Sequence, residues 1–240
     1  MKVSVLLPTY RRPILIRRAL ASLWKQTMND YELIVIENGG DEAMEKRYDP
    51  VKKMVEDKGH KWLRRNDFAS LPHALNVGFA ESLGKYISVL EDDDEWRPRF
   101  LEVLSGHMGY CSCVMAFSKQ AEMDAGGNRG TFGTPIPKHF NVETMLRANF
   151  IGFPMAMYRR EIIEKMGGFN EKAGAGTDWI THCTASAYGQ IHMIDDELVV
   201  HHWHDDETRN YCLLEDQLEL TLKQRRLWAE GKFGEEWIRK

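Results

Sequence analysis

Apolar and polar positions along the first half of the chain follow a strand-then-helix rhythm. Val3 to Leu7 is a short, largely apolar run with β-branched residues, consistent with a buried strand, and Pro8-Thr9-Tyr10 follows as a loop. Pro13 suits the first turn of a helix on which Ile16, Leu20, Leu23 and Trp24 recur at helical spacing. Tyr31 to Ile36 predicts a second strand ended by Asn38-Gly39-Gly40, and 41–57 a polar, solvent-facing helix. Trp62-Leu63 marks a third, short strand. Ser70 and Pro72 read as the N-cap and first turn of a helix with Leu71, Leu75 and Phe79 as its stripe and Gly84 as its stop. Tyr86 to Leu90 predicts a fourth strand that runs straight into acids.

This order predicts an α/β fold with a mostly parallel, Rossmann-like sheet flanked by helices on both faces. Ligands of such sheets bind beyond the carboxyl ends of the strands. Three of those ends carry Pro8-Thr9-Tyr10, Glu37-Asn38 and Glu91 to Asp94, so they should converge on one edge.

The second half is less regular. Cys111 to Phe117 reads as a strand, 124–137 as a long Gly/Pro-rich loop, and Phe150 to Tyr158 as another strand. Arg159 to Met166 predicts a short helix stopped by Gly167-Gly168, residues 177–188 a helix, and 191–203 a pair of strands. From Leu213 to Trp228 the pattern is amphipathic. That tail has three readings: it docks on the sheet, pairs with a second copy as a homodimer, or touches a membrane through Lys223, Arg225 and Arg226.

Composition narrows the class without naming a chemistry. The 240 residues are 43% hydrophobic and 28% charged, as in ordinary globular proteins, and a formal net charge of −4 argues against a dedicated nucleic-acid binder. No signal-peptide pattern opens the sequence, and no apolar stretch approaches the roughly 18 to 20 residues that span a bilayer. The expectation is a cytoplasmic protein with no transmembrane segment, with a membrane-peripheral tail left open. Cys111, Cys113, Cys183 and Cys212 read as reduced thiols, since Cys111-x-Cys113 has no second pair at zinc-finger spacing.

The sharpest chemical feature is Glu91-Asp92-Asp93-Asp94-Glu95. Consecutive acids repel, and in an extended chain alternate carboxylates face one side, so Asp92 and Asp94 would converge on one hard cation. Mn²⁺ or Mg²⁺ suits such oxygens and keeps coordination sites for phosphate. The bland reading is a solvated acidic turn or acids set against a helix dipole.

Around these acids the chain resembles a known family. Val3-Ser4-Val5-Leu6-Leu7-Pro8-Thr9-Tyr10-Arg11-Arg12 is similar to the opening of family 2 glycosyltransferases, which have the GT-A fold. So are Ser22-Leu23 through Gln26-Thr27, Glu32 to Gly39, Asn76-Val77-Gly78 through Ile87, the acids with Trp96-Arg97-Pro98, and Gly167-Gly168-Phe169-Asn170-Glu171. The resemblance implies an inverting, metal-assisted transfer of sugar from a nucleoside-diphosphate sugar, a UDP-sugar favoured, to an acceptor hydroxyl on a glycan, a lipid-linked glycan or another molecule. It places Pro8, Thr9, Tyr10 and Glu37 at the nucleotide base, and Arg65 (or Arg64) and Asn76 near the donor. Asp92 and Asp93 then lie on the donor and Asp94 on the metal. Asp178 is implied as the general base, in Gly176-Thr177-Asp178-Trp179.

His201-His202-Trp203-His204 is a second dense cluster, and the resemblance implies His204, with His202 as substitute, as a further metal ligand. Under this reading 1–100 is the nucleotide-sugar half, 101–206 an acceptor-side half, and 207–240 a helical tail. The 124–137 loop becomes a lid or acceptor wall. Two other functions compete: a non-catalytic module that only binds the nucleotide sugar, and a nucleotidyltransferase. The latter carries a glycine-rich basic loop after its first strand, and Pro8 to Arg12 contains no glycine.

Overall fold

In the computed structural model, residues 2–131, 133, 135–173 and 176–203 are described. His204 and the whole of the 207–240 tail lie outside them, so neither expectation is addressed by the structure. Among the described residues no helix is long and apolar enough to cross a membrane.

The first half folds in the predicted order. β1 (Val3–Thr9), β2 (Tyr31–Asn38), β3 (Lys61–Arg65) and β4 (Tyr86–Val89) are joined by helices α1 (Ile16–Leu23), α2 (Glu42–Glu56) and α3 (Leu71–Ala80). They pair in parallel in the spatial order β3-β2-β1-β4. Every residue of β1 is buried, Ser4 and Thr9 included, as befits a strand paired on both edges. Helix α2 is less solvent-facing than its composition suggests, because Tyr48, Val51 and Val55 form a buried stripe against the sheet.

A buried carboxylate locks this half together. Glu32 on β2 accepts hydrogen bonds from Ser4 Oγ at 2.7 Å and from the backbone N–H groups of Leu83 and Gly84 at 2.6 and 3.1 Å. A side chain at Gly84 would sit 2.4 Å from the Ser4 nitrogen, so only glycine lets the α3–β4 turn come this close.

The second half departs from the expected elements. After β5 (Glu95–Trp96) and α4 (Phe100–Tyr110), the strand expected at Cys111–Phe117 is β6, which starts later and runs Met115–Met123. The 124–137 segment is not all loop, for β7 (Arg129–Gly130) pairs back on β6, and Asp124 Oδ1 accepts from the Asn128 N–H to close the turn. Helix α5 spans Val142–Arg147. The strand expected over Phe150–Tyr158 begins only at β8 (Ala156–Arg159), because Pro154 and a 3-10 turn at Phe153–Met155 occupy its first part. Helices α6 (Arg160–Lys165) and α7 (Thr177–Ser186) follow, and 191–203 is one long strand, β9 (Ile191–His202), where two were expected. Its register shifts against β6 around Ser118 to Gln120, and that bulge absorbs the irregular pattern read as a break.

These strands extend the same sheet to the order β3-β2-β1-β4-β8-β6-β9-β5. β8 runs antiparallel between β4 and β6, so the sheet is parallel in its first half and mixed beyond it. β9 is parallel to β6 and brings His201 and His202 to the edge where the acids lie.

Candidate active site

The carboxyl ends of the parallel strands do converge, and the link is direct. Thr9 Oγ1, at the end of β1, donates to Asp92 Oδ2 at 2.6 Å and also meets the Tyr48 hydroxyl at 2.7 Å. Arg12, held in the loop after Arg11 (φ 55°), reaches Asp92 Oδ1 at 3.1 Å and Asp93 Oδ2 at 2.8 Å. Arg18 donates to the Asp93 carbonyl oxygen and faces the Glu95 carboxylate at 3.8 Å. Asp92 and Asp94 point to different neighbours in this structure, for a geometric reason. The strand ends at Val89, and the chain turns over Asp92 and Asp93, with the Asp94 N–H donating to the Glu91 carbonyl at 3.2 Å. In a turn, alternate residues diverge and the ends approach, so Glu91, Asp93 and Asp94 offer oxygens within 4.8 Å of one another while Asp92 turns to Thr9 and Arg12.

This turn concentrates charge out of water. Burial and the neighbouring Asp93 push Asp92 up to about 7, against the pull of Arg12 and Thr9. Burial, then Asp93, Asp94, Asp178 and Asp92 in turn, raise Glu91 well above the carboxylate range. The donor set is three hard carboxylate oxygens, and it fits a divalent cation of the Mn²⁺ or Mg²⁺ type.

Two histidines support the turn. His201 Nδ1 donates to Asp94 Oδ1 at 2.8 Å, and His202 Nε2 donates to Glu95 Oε1 at 2.7 Å. Sequence reasoning singled out His202 and His204; the ring on Asp94 belongs to His201, because β9 pairs antiparallel with β5 beside the acids. Behind the turn, the Ser22 to Thr27 motif acts as its bracket. Ser22 Oγ accepts from the Trp96 N–H at 3.0 Å, Gln26 spans the Arg97 carbonyl and the Leu101 N–H, and the Thr27 N–H donates to the Pro98 carbonyl at 2.8 Å.

Along the same edge, Glu37 is 1% exposed. Its Oε2 accepts from Trp62 Nε1 and from Arg64 Nε, both at 2.8 Å, while Oε1 is buried with no hydrogen-bond partner. Arg64 is thus the partner of Glu37, Glu45 and Asp49. The Nε of Arg65, one residue on, is buried without a hydrogen-bond partner. Tyr10 packs against Phe68 with ring centroids 4.6 Å apart. Asn38 fixes the loop that carries Phe68, through the Ala69 carbonyl and N–H at 2.7 and 3.2 Å.

Asn76 has a packing role in this structure. Its amide accepts from the Phe169 N–H at 2.7 Å and donates to the Phe169 carbonyl at 2.9 Å and to Glu171 Oε1 at 3.0 Å. It clips the Gly-Gly-Phe segment to α3, at a closeness that needs Gly168 (φ 92°), where a Cβ would stand 2.5 Å from Asn76 Oδ1.

Asp178 is the second residue of α7, behind an N-cap at Gly176. Its Oδ2 accepts from Asn149 Nδ2 at 3.0 Å, and its Oδ1 from the Trp179 N–H at 2.7 Å. Burial raises its pKa, and its charge is felt at Glu91, so it stands within electrostatic reach of the acidic turn. Arg12, Arg18, Asn149 and Tyr48 escape sequence reasoning: Arg12 lies in the Val3–Arg12 segment but carries no role there, and the other three reach the site only through tertiary pairing.

The chain is 23% identical over 188 residues to the GalNAc(5)-diNAcBac-PP-undecaprenol beta-1,3-glucosyltransferase of Campylobacter jejuni, covering 75% of this chain and 59% of that protein. Another curated relative, an uncharacterized glycosyltransferase of Nostoc, is spanned over 53% of its length, so the chain covers little more than half of either. Its fold matches Staphylococcus aureus TarS 1–349 in complex with UDP-GlcNAc, with a TM-score of 0.73 at 18% identity over 92% of this chain and 64% of that one. It also matches the Pyrobaculum calidifontis mannosyltransferase PcManGT in complex with GDP-Man and Mn²⁺, with a TM-score of 0.62 at 18% identity over 96% of this chain and 64% of that one. The fold is therefore of the GT-A type. The model of the family described as glycosyl transferase family 2 matches residues 4–167, from the first strand to the turn after α6, and the chain belongs to that family.

Proposed function

We propose that this chain transfers a sugar, with inversion, from a nucleoside-diphosphate sugar to an acceptor hydroxyl. The observation that carries the reading is the clustering of Glu91, Asp93 and Asp94 oxygens in one turn, with a further buried carboxylate, Asp178, close enough for its charge to act on Glu91. The first would hold the cation that meets a diphosphate, and the second would take a proton.

The residues divide the work. The bare Glu37 Oε1 is an acceptor held ready for a base N–H, and Tyr10 and Phe68 offer a ring surface beside it. Uracil, with one ring N–H between two carbonyls, meets a single acceptor well. Relatives of this fold are known bound to UDP-GlcNAc and to GDP-Man, and a UDP-sugar is the donor favoured here. Arg65 carries an unsatisfied N–H suited to a phosphate or ribose oxygen. Asp92, held by Thr9 and Arg12, would meet the donor, with Asp93 on the same Arg12. Glu91, Asp93 and Asp94 would hold Mn²⁺ or Mg²⁺, with His201 steadying Asp94. When bound, the cation supplies positive charge against the departing nucleoside diphosphate.

Asp178 accepts the proton of the attacking hydroxyl. Its raised pKa brings it nearer to neutral operation, and Asn149 keeps one oxygen oriented. The acceptor is a glycan, a lipid-linked glycan or another hydroxyl compound, bound by residues after 100. A cytoplasmic setting fits this reading.

A thermal-shift panel of nucleotides and nucleotide sugars, with and without Mn²⁺, tests it. Metal-dependent stabilisation by a uridine diphosphate sugar is expected. No metal dependence with any nucleotide overturns the reading, and binding without hydrolysis or transfer in any acceptor screen favours the non-catalytic module.

A further inference from the structure

At the opposite end of β9 from the acids, four side chains of another character come together. His107 in the last turn of α4, Cys111 at its C-cap, Cys113 before β6, and His192 at the start of β9 each offer a nitrogen or sulfur, all within 4.8 Å of one another. His107 Nε2 and His192 Nδ1 are 2.9 Å apart, and the Cys111 and Cys113 sulfurs 2.7 Å apart. His192 and His201 are nine positions apart along one strand, roughly 30 Å if fully extended, so this cluster is separate from the acidic turn.

We propose that these four residues form a structural Zn²⁺ site. Two thiolates and two imidazoles are the donor set of closed tetrahedral zinc, whereas manganese and magnesium prefer oxygens. All four ligands come from the chain, which leaves no open position for chemistry. The surroundings are built as metal sites are built. His192 Nε2 faces Gln190 Oε1 at 3.3 Å, an outer contact that orients the ring and leaves Nδ1 toward the cluster. The Arg159 guanidinium donates to the carbonyls of Met108 and Cys113, each at 2.7 Å, and to that of Cys111. It fixes the backbone that presents both sulfurs and sets a positive charge near two thiolates.

Zinc–sulfur bonds of about 2.3 Å place two tetrahedral sulfurs about 3.8 Å apart, and two nitrogens about 3.3 Å apart. Each pair opens by about 1 Å or less to admit the ion. Cys111 is only partly buried and has room to turn. Binding releases the two thiol protons to solvent, one from each cysteine, with no change of oxidation state. The site then staples the end of α4 to the starts of β6 and β9.

The test uses the full chain, purified under reductant, stripped with chelator and titrated with Co²⁺ as a spectroscopic stand-in for Zn²⁺. One equivalent should give an intense thiolate-to-cobalt charge-transfer band and tetrahedral d–d bands, both displaced by Zn²⁺. The carboxylates of the acidic turn cannot produce that charge-transfer band. Cys113→Ser and His192→Asn should abolish or weaken it. A readout that needs no variant is thiol alkylation mapped by peptide: Zn²⁺, and not Mg²⁺, should slow labelling of Cys111 and Cys113 by about tenfold or more. Cobalt uptake with no thiolate band, unprotected thiols, or cysteines that isolate as a Cys111–Cys113 disulfide under reductant each overturn the proposal.

Discussion

Asn149 donates its side-chain amide to the Asp178 carboxylate at 3.0 Å, while its own oxygen is buried without a hydrogen-bond partner. The pair comes from two segments with no sequence signature in common, brought together where α7 begins beside the segment after α5. If Asp178 is the base, Asp178→Asn should cut kcat by about 10²- to 10⁴-fold, the usual range for general-base loss. Metal-dependent stabilisation by the donor should persist. Asn149→Ala should lower kcat less and shift the acidic limb of the pH–rate profile upward, because the Asn149 hydrogen bond lowers the Asp178 pKa. Steady-state rates with donor thermal shifts check both, and full turnover by Asp178→Asn sinks the assignment.

The acidic turn makes a prediction that simple alternation does not. Glu91→Gln and Asp94→Asn should each raise the Mn²⁺ concentration needed for donor stabilisation by about 10- to 100-fold, the scale on which contacts around a bound metal act. Asp92→Asn should leave that metal midpoint closer to wild type and weaken the nucleotide instead. A Mn²⁺ titration at fixed donor separates them; an unmoved midpoint in Glu91→Gln excludes Glu91 as a ligand.

Much of this was legible in the chain, and the failures share a cause. Strand and helix order in the first half follows from short apolar runs and capping residues, which are local signals. Which acids meet depends on where a strand stops. Tyr86 to Leu90 looks continuous with Glu91, yet pairing ends at Val89, and a turn points Asp92 and Asp94 to different neighbours. Cross-strand register is equally silent in one sequence. Glu37 pairs opposite Arg64, not Arg65, and that one-residue register decides which arginine is spent on structure. The Cys-x-Cys pair looked alone because its companions, His107 and His192, are gathered by the fold.

Glu37 sets the base preference in the proposed mechanism. In Glu37→Gln the amide oxygen will satisfy Trp62 and Arg64, turning an N–H group into the site where Oε1 was bare. Uridine diphosphate affinity should fall by about tenfold or more, the cost of leaving one polar group unmatched. Calorimetry with uridine and cytidine diphosphates reads this directly; equal uridine binding in the variant rules out contact.

His182 predicts how stability responds to acid. It is fully buried, accepts from the Tyr158 hydroxyl at 2.8 Å and donates to the Ile151 carbonyl at 2.7 Å, and burial lowers its pKa from 6.5 to about 3. Between those values the unfolded chain binds a proton that the folded chain refuses. Its contribution is therefore complete above about pH 6.5 and is lost as pH falls toward 3, at up to about 1.4 kcal/mol per pH unit. His182→Gln should be less stable at pH 7 but show a shallower loss between pH 6 and 4. Urea unfolding across that range is the check, and parallel slopes refute the assignment.

The position of β8 has a consequence for the chain while it is being made. The acids hang from β4, and β4 is sealed on its far side only by Ala156–Arg159. Tyr86, Ile87, Ser88 and Val89 are all buried in the finished sheet, yet the segment that covers them is synthesised several seconds later at ordinary ribosomal rates. Throughout that interval the nascent protein presents an apolar strand with one unpaired edge, the feature that invites aggregation. Fragments that stop before residue 156 should precipitate or bind chaperones more than fragments that extend through β9 and pair β6 as well.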